Sequence, residues 1–310
     1  MTSRDYLMDV ISVIENHPFE KLSVASLSKE VYLSPPHLKR MFKLVTGQSL
    51  MSYVRGRKLA CSLDDLLNTD LRIIDIAQKY AFQHEQSYIR AFCGEYGCTP
   101  GDARKNKRIL RILEAIDTKA LQENEGGVLY GPEVVKVPAF SIMGKPHMFI
   151  GFDYQTEAYE PNKLAKRFYY EESGRIPNVM HSDVYIAYVS NPDTKNNNEY
   201  MPSLQVKNLS YVPDGFVGRK FKSHLYVRFR YIGEHHYEDI NMTLLQETYA
   251  KIDAFFNGQT RYCAEYDYFF ERIDMKLYDG VYCQMEWLYP VKDTLAANQV
   301  TSERLGYHVK

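Results

Sequence analysis

Two groups of residues in this 310-residue chain have types and spacings suited to chemistry. The first lies in "SPPHLKRMFKLVTG", where Pro36, Lys39, Arg40 and Lys43 follow i, i+3, i+4, i+7 and share one face of a helix. His37 belongs to the same first turn. A matching set, Glu85, Gln86, Ser87 and Arg90, sits in "QHEQSYIRAFCGEYG" beside an inward stripe of Tyr88, Phe92 and Tyr96. Guanidinium groups fork onto guanine O6 and N7, a glutamine amide suits adenine N6 and N7, and a proline can touch a thymine methyl. Lys43, Arg55 and Arg57 suit phosphates, which position without specifying. The second group centres on Glu265 in "RYCAEYDYFF", an acid among Tyr262, Tyr266, Tyr268, Phe269 and Phe270. A carboxylate held among rings attracts a lipophilic cation by charge and by cation–π contact. Trp287, Phe229, Tyr226 and Tyr185, on other expected strands, complete this candidate set.

The elements that must position the first group read as helices with short breaks. Residues 5–17 carry Tyr6, Val10, Val13 and Ile14 at helical spacing. Ser23 is the expected N-cap of a short helix over 24–31. A tight turn follows, and then a helix that opens on Pro35 or Pro36 and stops at Gly47. Its inward stripe is Leu38, Met41, Phe42 and Val45. A long helix, "SYVRGRKLACSLDDLLNTD", leads to a second short helix, turn and exposed-face helix, and Thr99-Pro100 caps a last one. Two helix-turn-helix units joined by one long helix can address adjacent major-groove segments, roughly 34 Å apart, without a palindromic dimer.

Composition supports two domains. The chain is 45% hydrophobic and 25% charged, within the globular range. Residues 1–120 hold 18 Lys and Arg against 14 Asp and Glu, and the remainder holds 20 against 25, so the positive half is the half with the basic helix. Aromatics run the other way, 10 in residues 1–120 and 32 after them. The expected division is a domain over 1–112, a linker over 113–132 around "LQENEGGVLYGP", and a second domain over 133–310. From residue 133 the period becomes that of strands, in "EVVKVPAFSIMG", "SDVYIAYVS", "HLYVRFRYIG", "RYCAEYDYFF" and "GVYCQMEWLYPV". Helical stretches at 161–172 and 239–257 stand between them, which predicts an α+β domain with a faint internal duplication.

No apolar run approaches the roughly 20 residues of a membrane span. Arg4 and Asp5 stand where a secretion signal needs its apolar stretch. The five cysteines show no CxxC spacing and read as free thiols of a cytoplasmic protein. No phosphate-binding glycine loop, HExxH or GxSxG is present. "GEHHYED" (233–239) reads as a polar loop before a helix, so no metal and no cofactor are expected. The C-terminal "LAANQVTSERLGYHVK" suggests no role beyond a solvated tail or short helix.

The run from about residue 5 to 110 resembles the AraC/XylS family of transcription factors. The likeness is carried by "LSPPHLKRMFKLVTGQSLMSYVRGRKL", "LLNTDLRIIDIAQKYAF" and "SYIRAFCGEYGCTPGDAR". The resemblance implies double-stranded DNA as a partner and base contacts from Pro36, Lys39 and Arg40 in the first unit. In the second unit it implies Glu85, Gln86, Ser87 and Arg90. Two departures stand out. Ala81 occupies a turn position that is usually glycine, and Cys93 one that is usually lysine, which removes a phosphate contact and should lower salt dependence.

The run over about 133–292 resembles the GyrI-like effector-binding domain, on "VVKVPAFSIMG", "LYVRFRYIG", "YCAEYDYFFE" and "MEWLYPV". Rob-type regulators share this domain order. The resemblance implies two βαββ modules facing each other across a ligand cleft, with an acid on a late strand that falls on Glu265. The resulting expectation is a non-enzymatic, one-component regulator with a small amphipathic or cationic effector. RNA polymerase is an expected partner, no membrane is involved, and the state is monomer or weak dimer. The alternative is the same DNA reader with a second domain that binds a protein partner or hydrolyses a small electrophile.

Overall fold

The computed structural model describes residues 2–107, 110, 112–150, 160–193, 197–265, 267–278 and 280–295. The C-terminal tail read from sequence lies almost wholly outside the described residues, as does Tyr266. The chain divides into two compact units, Met1–Leu121 and Gln122–Lys310.

The first unit is helical. Its elements are α1 (Ser3–Asn16), α2 (Val24–Glu30), α3 (Pro35–Thr46), α4 (Leu50–Asn68), α5 (Ile73–Lys79), α6 (Glu85–Tyr96) and α7 (Pro100–Asn106). Caps set the boundaries. Ser23 accepts from the Ser26 N–H at α2, and Thr99 accepts from the Asp102 N–H at α7. Prolines open α3 and α7, where a missing N–H costs no intrahelical bond. Gly47 and Gly97, both left-handed, close α3 and α6.

The two helix-turn-helix units repeat one backbone device. After α2, Leu33 N–H reaches the Ser28 carbonyl and Tyr32 N–H the Lys29 carbonyl; after α5, Phe82 N–H reaches Ala77 and Ala81 N–H reaches Gln78. Each is a Schellman turn, with a left-handed residue at its corner. Those corners are Tyr32 (φ 55°) and Ala81 (φ 56°), so both turns are made without glycine. The inward stripe Leu38, Met41, Phe42 and Val45 is fully buried, and Tyr88, Phe92 and Tyr96 join Leu59, Leu63, Leu66 and Ile76 in the second core.

The second unit is an antiparallel sheet with two covering helices. Its strands are β1 (Leu121–Asn124), β2 (Gly127–Val137), β3 (Phe140–Gly144), β4 (His147–Ile150), β5 (Val184–Asp193) and β6 (Asn197–Val206). They continue with β7 (Val217–Phe221), β8 (His224–Gly233), β9 (Tyr262–Ala264), β10 (Tyr268–Asp274) and β11 (Cys283–Asp293). Helix α8 (Glu160–Arg167) runs on into a π-helical turn, Phe168–Glu172, and α9 spans Met242–Gly258. The sheet order is β1-β2-β8-β11-β10-β5-β6-β3-β7.

Within that order stand two βαββ modules, β3–α8–β5–β6 and β8–α9–β10–β11. Each places its last strand between the other two, and the modules join where β10 pairs β5 antiparallel. The duplication expected from sequence is thus a property of the sheet. The stretch "EVVKVPAFSIMG" is not one strand. It supplies the ends of β2 and all of β3, which pair with β8 and with β6 and β7 respectively. Strand alternation then sorts the side chains. One face packs Trp287, Phe229, Tyr231 and Met285 against Leu244, Leu245 and Ile252 of α9, and Tyr185, Tyr200 and Leu204 with Phe168 below α8. The opposite face gathers Ile142, Ile186, Met201, Tyr226 and Phe270.

Candidate effector pocket and nucleic-acid interface

Between α8, α9 and the seam of the two modules lies a pocket of about 820 Å³ of empty space, part of it open to solvent. Its floor is Tyr185 and Tyr200 from the first module and Glu271 and Ile273 from the second. Tyr169 and Tyr170 wall it on the α8 side, and Tyr237, Ile240 and Leu245 on the α9 side. The hydroxyls of Tyr185 and Tyr200 lie 2.7 Å apart. At the rim, Tyr170 donates to Glu238 (2.6 Å), and Lys166 stands 3.8 Å from the same carboxylate.

Among the described residues Glu271 is the only carboxylate on the floor, and it is 7% exposed. Tyr249 of α9 donates a hydrogen bond to it. Trp287 stands directly opposite it in the β10–β11 register, its indole N–H buried. Among the described residues no lysine, arginine or histidine forms an ion pair with it. Burial therefore pushes its carboxyl above the usual range, and the Tyr249 hydroxyl and Trp287 indole only partly oppose that. Burial raises the Tyr200 hydroxyl as well. The pocket is thus an aromatic cleft ending in a carboxyl group that no cation among the described residues satisfies. Such a site gains more from a cationic or hydrogen-bonding guest than from a purely apolar one.

The residues singled out from sequence are not brought together. Tyr185 lines the pocket. Trp287 and Phe229 are fully buried in the core beneath α9. Tyr226 points to the opposite face of the sheet, against Phe270. Glu265 lies in the break between β9 and β10, exposed, with its carboxylate 3.1 Å from His224 Nε2. It does not line the pocket. The acid there is Glu271, and its signal was present in "YFFERID": Phe269, Glu271 and Ile273 alternate onto one face, so a lone acid interrupts an apolar stripe. The "GEHHYED" loop divides. His235 meets the Tyr231 hydroxyl at 2.8 Å, while Glu238 turns to the pocket rim.

On the opposite face a second buried acid is held differently. Glu286, 5% exposed, meets Arg272 at 2.8 Å, Arg230 at 3.1 Å and Arg228 at 3.7 Å. Glu133 continues the row, 3.1 Å from Arg228 and 3.3 Å from Arg230. Burial opposes charge on Glu286, yet the three guanidiniums outweigh it and hold its carboxyl below the usual range.

In the helical unit, Pro36, Lys39 and Lys43 are exposed along α3, with His37 and Arg40 half-buried. On α6, Gln86 and Arg90 are exposed and Glu85 and Ser87 half-buried. Ser87, Arg90 and Arg55 border one open groove with Phe82 and Glu95. Arg57 is not a phosphate contact in this structure. Its guanidinium is 2.7 Å from Glu15 and donates to the Leu113 carbonyl. Gly56 makes room for that approach, since a Cβ there would lie 2.5 Å from the Leu113 side chain. The two exposed faces differ in charge. Helix α3 carries Lys39, Arg40 and Lys43, whereas α6 offsets Arg90 with Glu85 and Glu95.

Comparison with known proteins agrees with both units. A model of the helix-turn-helix domain matches residues 27–106, and a model of integron-associated effector binding proteins matches residues 133–291. Right origin-binding protein of Escherichia coli (strain K12) is 34% identical over 106 residues, covering 34% of this chain and 37% of that protein. Regulatory protein SoxS of the same strain is 32% identical over 104 residues, 34% of this chain and 97% of SoxS. An integron cassette protein from the mobile metagenome of Vibrio cholerae covers 53% of this chain and 99% of its own, with 15% identity and a TM-score of 0.39. The match to the first of these relatives spans little more than a third of its length. Because the effector-binding model covers just over half of the residues, the chain belongs to the family of integron-associated effector binding proteins, carried here behind an AraC-type helix-turn-helix domain.

Proposed function

We propose that this chain is a one-component transcriptional regulator that reads double-stranded DNA with α3 and α6 and is controlled by a small lipophilic cation in the pocket above Glu271. For DNA, the observation that carries the reading is the repeat of one Schellman turn and one polar-faced helix in 24–47 and 73–97. For the effector it is a buried carboxyl group among tyrosines with no cation beside it among the described residues. Lys43 and Arg55 contact phosphates, Lys39 and Arg40 read bases in the first unit, and Gln86 and Arg90 read bases in the second. The regulator acts in the cytoplasm on RNA polymerase, as a monomer or weak dimer.

A binding role is favoured over hydrolysis. Glu271 already accepts a hydrogen bond from Tyr249, which occupies one of its two oxygens. Relatives that are regulators agree with this.

The test is operator selection from random duplexes, followed by anisotropy titration with and without benzyltrimethylammonium. Specific binding should exceed nonspecific binding by at least about 10³-fold. Arg40→Ala and Arg90→Ala should each cost about 1–3 kcal/mol and relax one base position. Operator affinity should change with the cation. Specific binding unaltered by any cation would sink the effector half and favour control by a protein partner.

A further inference from the structure

A desolvated carboxyl group with no counter-charge has two stable ways to be filled. It can meet a cation as an anion, or meet an acceptor as a neutral acid. The groups facing Glu271 decide whether the protein itself supplies a third. From β10's neighbours come Tyr185, Tyr200 and the Trp287 indole. From α8 and the turn after it come Lys166, Tyr169 and Tyr170; from the turn before α9 come Tyr237 and Glu238; and α9 contributes Tyr249. The single cation among them, Lys166, stands at the rim beside Glu238 and is 51% exposed. Every other facing group except Glu238 is a neutral donor, and none can balance charge at the floor.

Resting on the effector reading above, we propose that Glu271 serves two ligand classes through two protonation states. A lipophilic cation displaces its proton, and a neutral hydrogen-bond acceptor of similar shape binds with the proton retained. The cation step balances simply. Carboxylic acid plus cation gives a carboxylate–cation pair, and the proton leaves to solvent through the open side of the pocket. In the neutral step the O–H donates to the ligand carbonyl and no proton moves. The raised carboxyl of Glu271 agrees with an empty pocket that holds the acid form into the range where an ordinary glutamate has ionised. One residue then sorts effectors by charge, and pH sets which class prevails.

The test uses the full chain and two probes of equal size, benzyltrimethylammonium, which cannot titrate, and N,N-dimethylbenzamide. Each is titrated calorimetrically in buffers of different ionisation enthalpy between about pH 5 and pH 8.5. Expected for the cation is release approaching one proton per ligand at the low end, with affinity rising up to about tenfold per pH unit until the release fades. The amide should exchange no proton at the low end and should weaken as pH rises. In Glu271→Gln both slopes should vanish, with the cation weakened at least about tenfold and the amide retained, because the glutamine N–H₂ still donates. Cation binding to the wild type without proton release or pH dependence would overturn this inference while leaving the cation pocket standing. Failure of the cation to bind at any pH would overturn both.

Discussion

Glu271 and Glu286 sit on adjacent strands of one sheet, about equally buried, and are displaced in opposite directions. In the register Glu271 faces Trp287 and Glu286 faces Arg272, so a single step along the strand separates them. Alternation sends the first beneath the helices and the second to the far face. There Glu286 is enclosed by Arg228, Arg230 and Arg272, while Glu271 has a phenol, an indole and a cavity. Burial is nearly the same for both, 7% and 5% exposed, so it does not distinguish them. What distinguishes them is whether the protein supplies the counter-charge. A buried acid that the fold neutralises is part of the framework, and one left unneutralised is the candidate for a site.

That contrast can be broken most directly at Glu286. Glu286→Gln removes the anion 3.1 Å from Arg230, itself 3% exposed, and should lower stability by about 3 kcal/mol in urea denaturation. A loss below about 1 kcal/mol would mean the arginine row is not structural. Glu271→Gln should do the reverse. Its stability should stay within about 1 kcal/mol of wild type at neutral pH or exceed it, while cation affinity falls by at least about 1.4 kcal/mol.

Stability measured across pH separates the two acids by sign. For Glu271 the folded carboxyl lies above the ordinary 4.5, so the folded chain holds more protons in that window. Its contribution is a penalty, absent below about pH 4.5 and growing as pH rises toward the folded value. The advantage of Glu271→Gln should therefore widen with rising pH. For Glu286 the folded carboxyl lies below 4.5, so its contribution is present above that pH and lost as pH falls through the folded value. The deficit of Glu286→Gln should shrink on acidification below pH 4.5. Parallel profiles for the two variants would show that both acids are in the same state.

The smallest expected effect lies at Tyr249. Tyr249→Phe removes the hydrogen bond that favours ionised Glu271, a loss of about 0.5–1.5 kcal/mol. Cation affinity at neutral pH should fall about two- to tenfold, with the proton release of the wild type increased. Unchanged affinity would place the bound cation's charge elsewhere in the pocket.

How far the sequence led differs between the two units for a physical reason. Helix caps, an apolar stripe and a corner residue all lie within a few positions of one another. Hence Ser23, Thr99, Pro100 and Gly47 could be assigned their places before any fold was known. In the sheet the same alternation fits Glu265 and Glu271, which are an even number of positions apart. Only the break after β9 turns the first out to solvent beside His224. The aromatics of the second unit were legible as a class, yet composition does not say which face of which strand each occupies. Tyr226 and Phe229 point to opposite faces of β8, and both are buried. Arg57 shows the same limit among the helices, since nothing near it announces Glu15, a distant residue that removes it from the phosphate-facing set.

By itself, then, the sequence determined what depends on neighbours along the chain: two helix-turn-helix units, their polar faces, and the α+β character of the second unit. The tertiary structure alone decided which carboxylate is compensated and which, among the described residues, has no counter-charge. Charge balance at a buried site is set by strand partners and covering helices far away in the chain, where no local pattern records it.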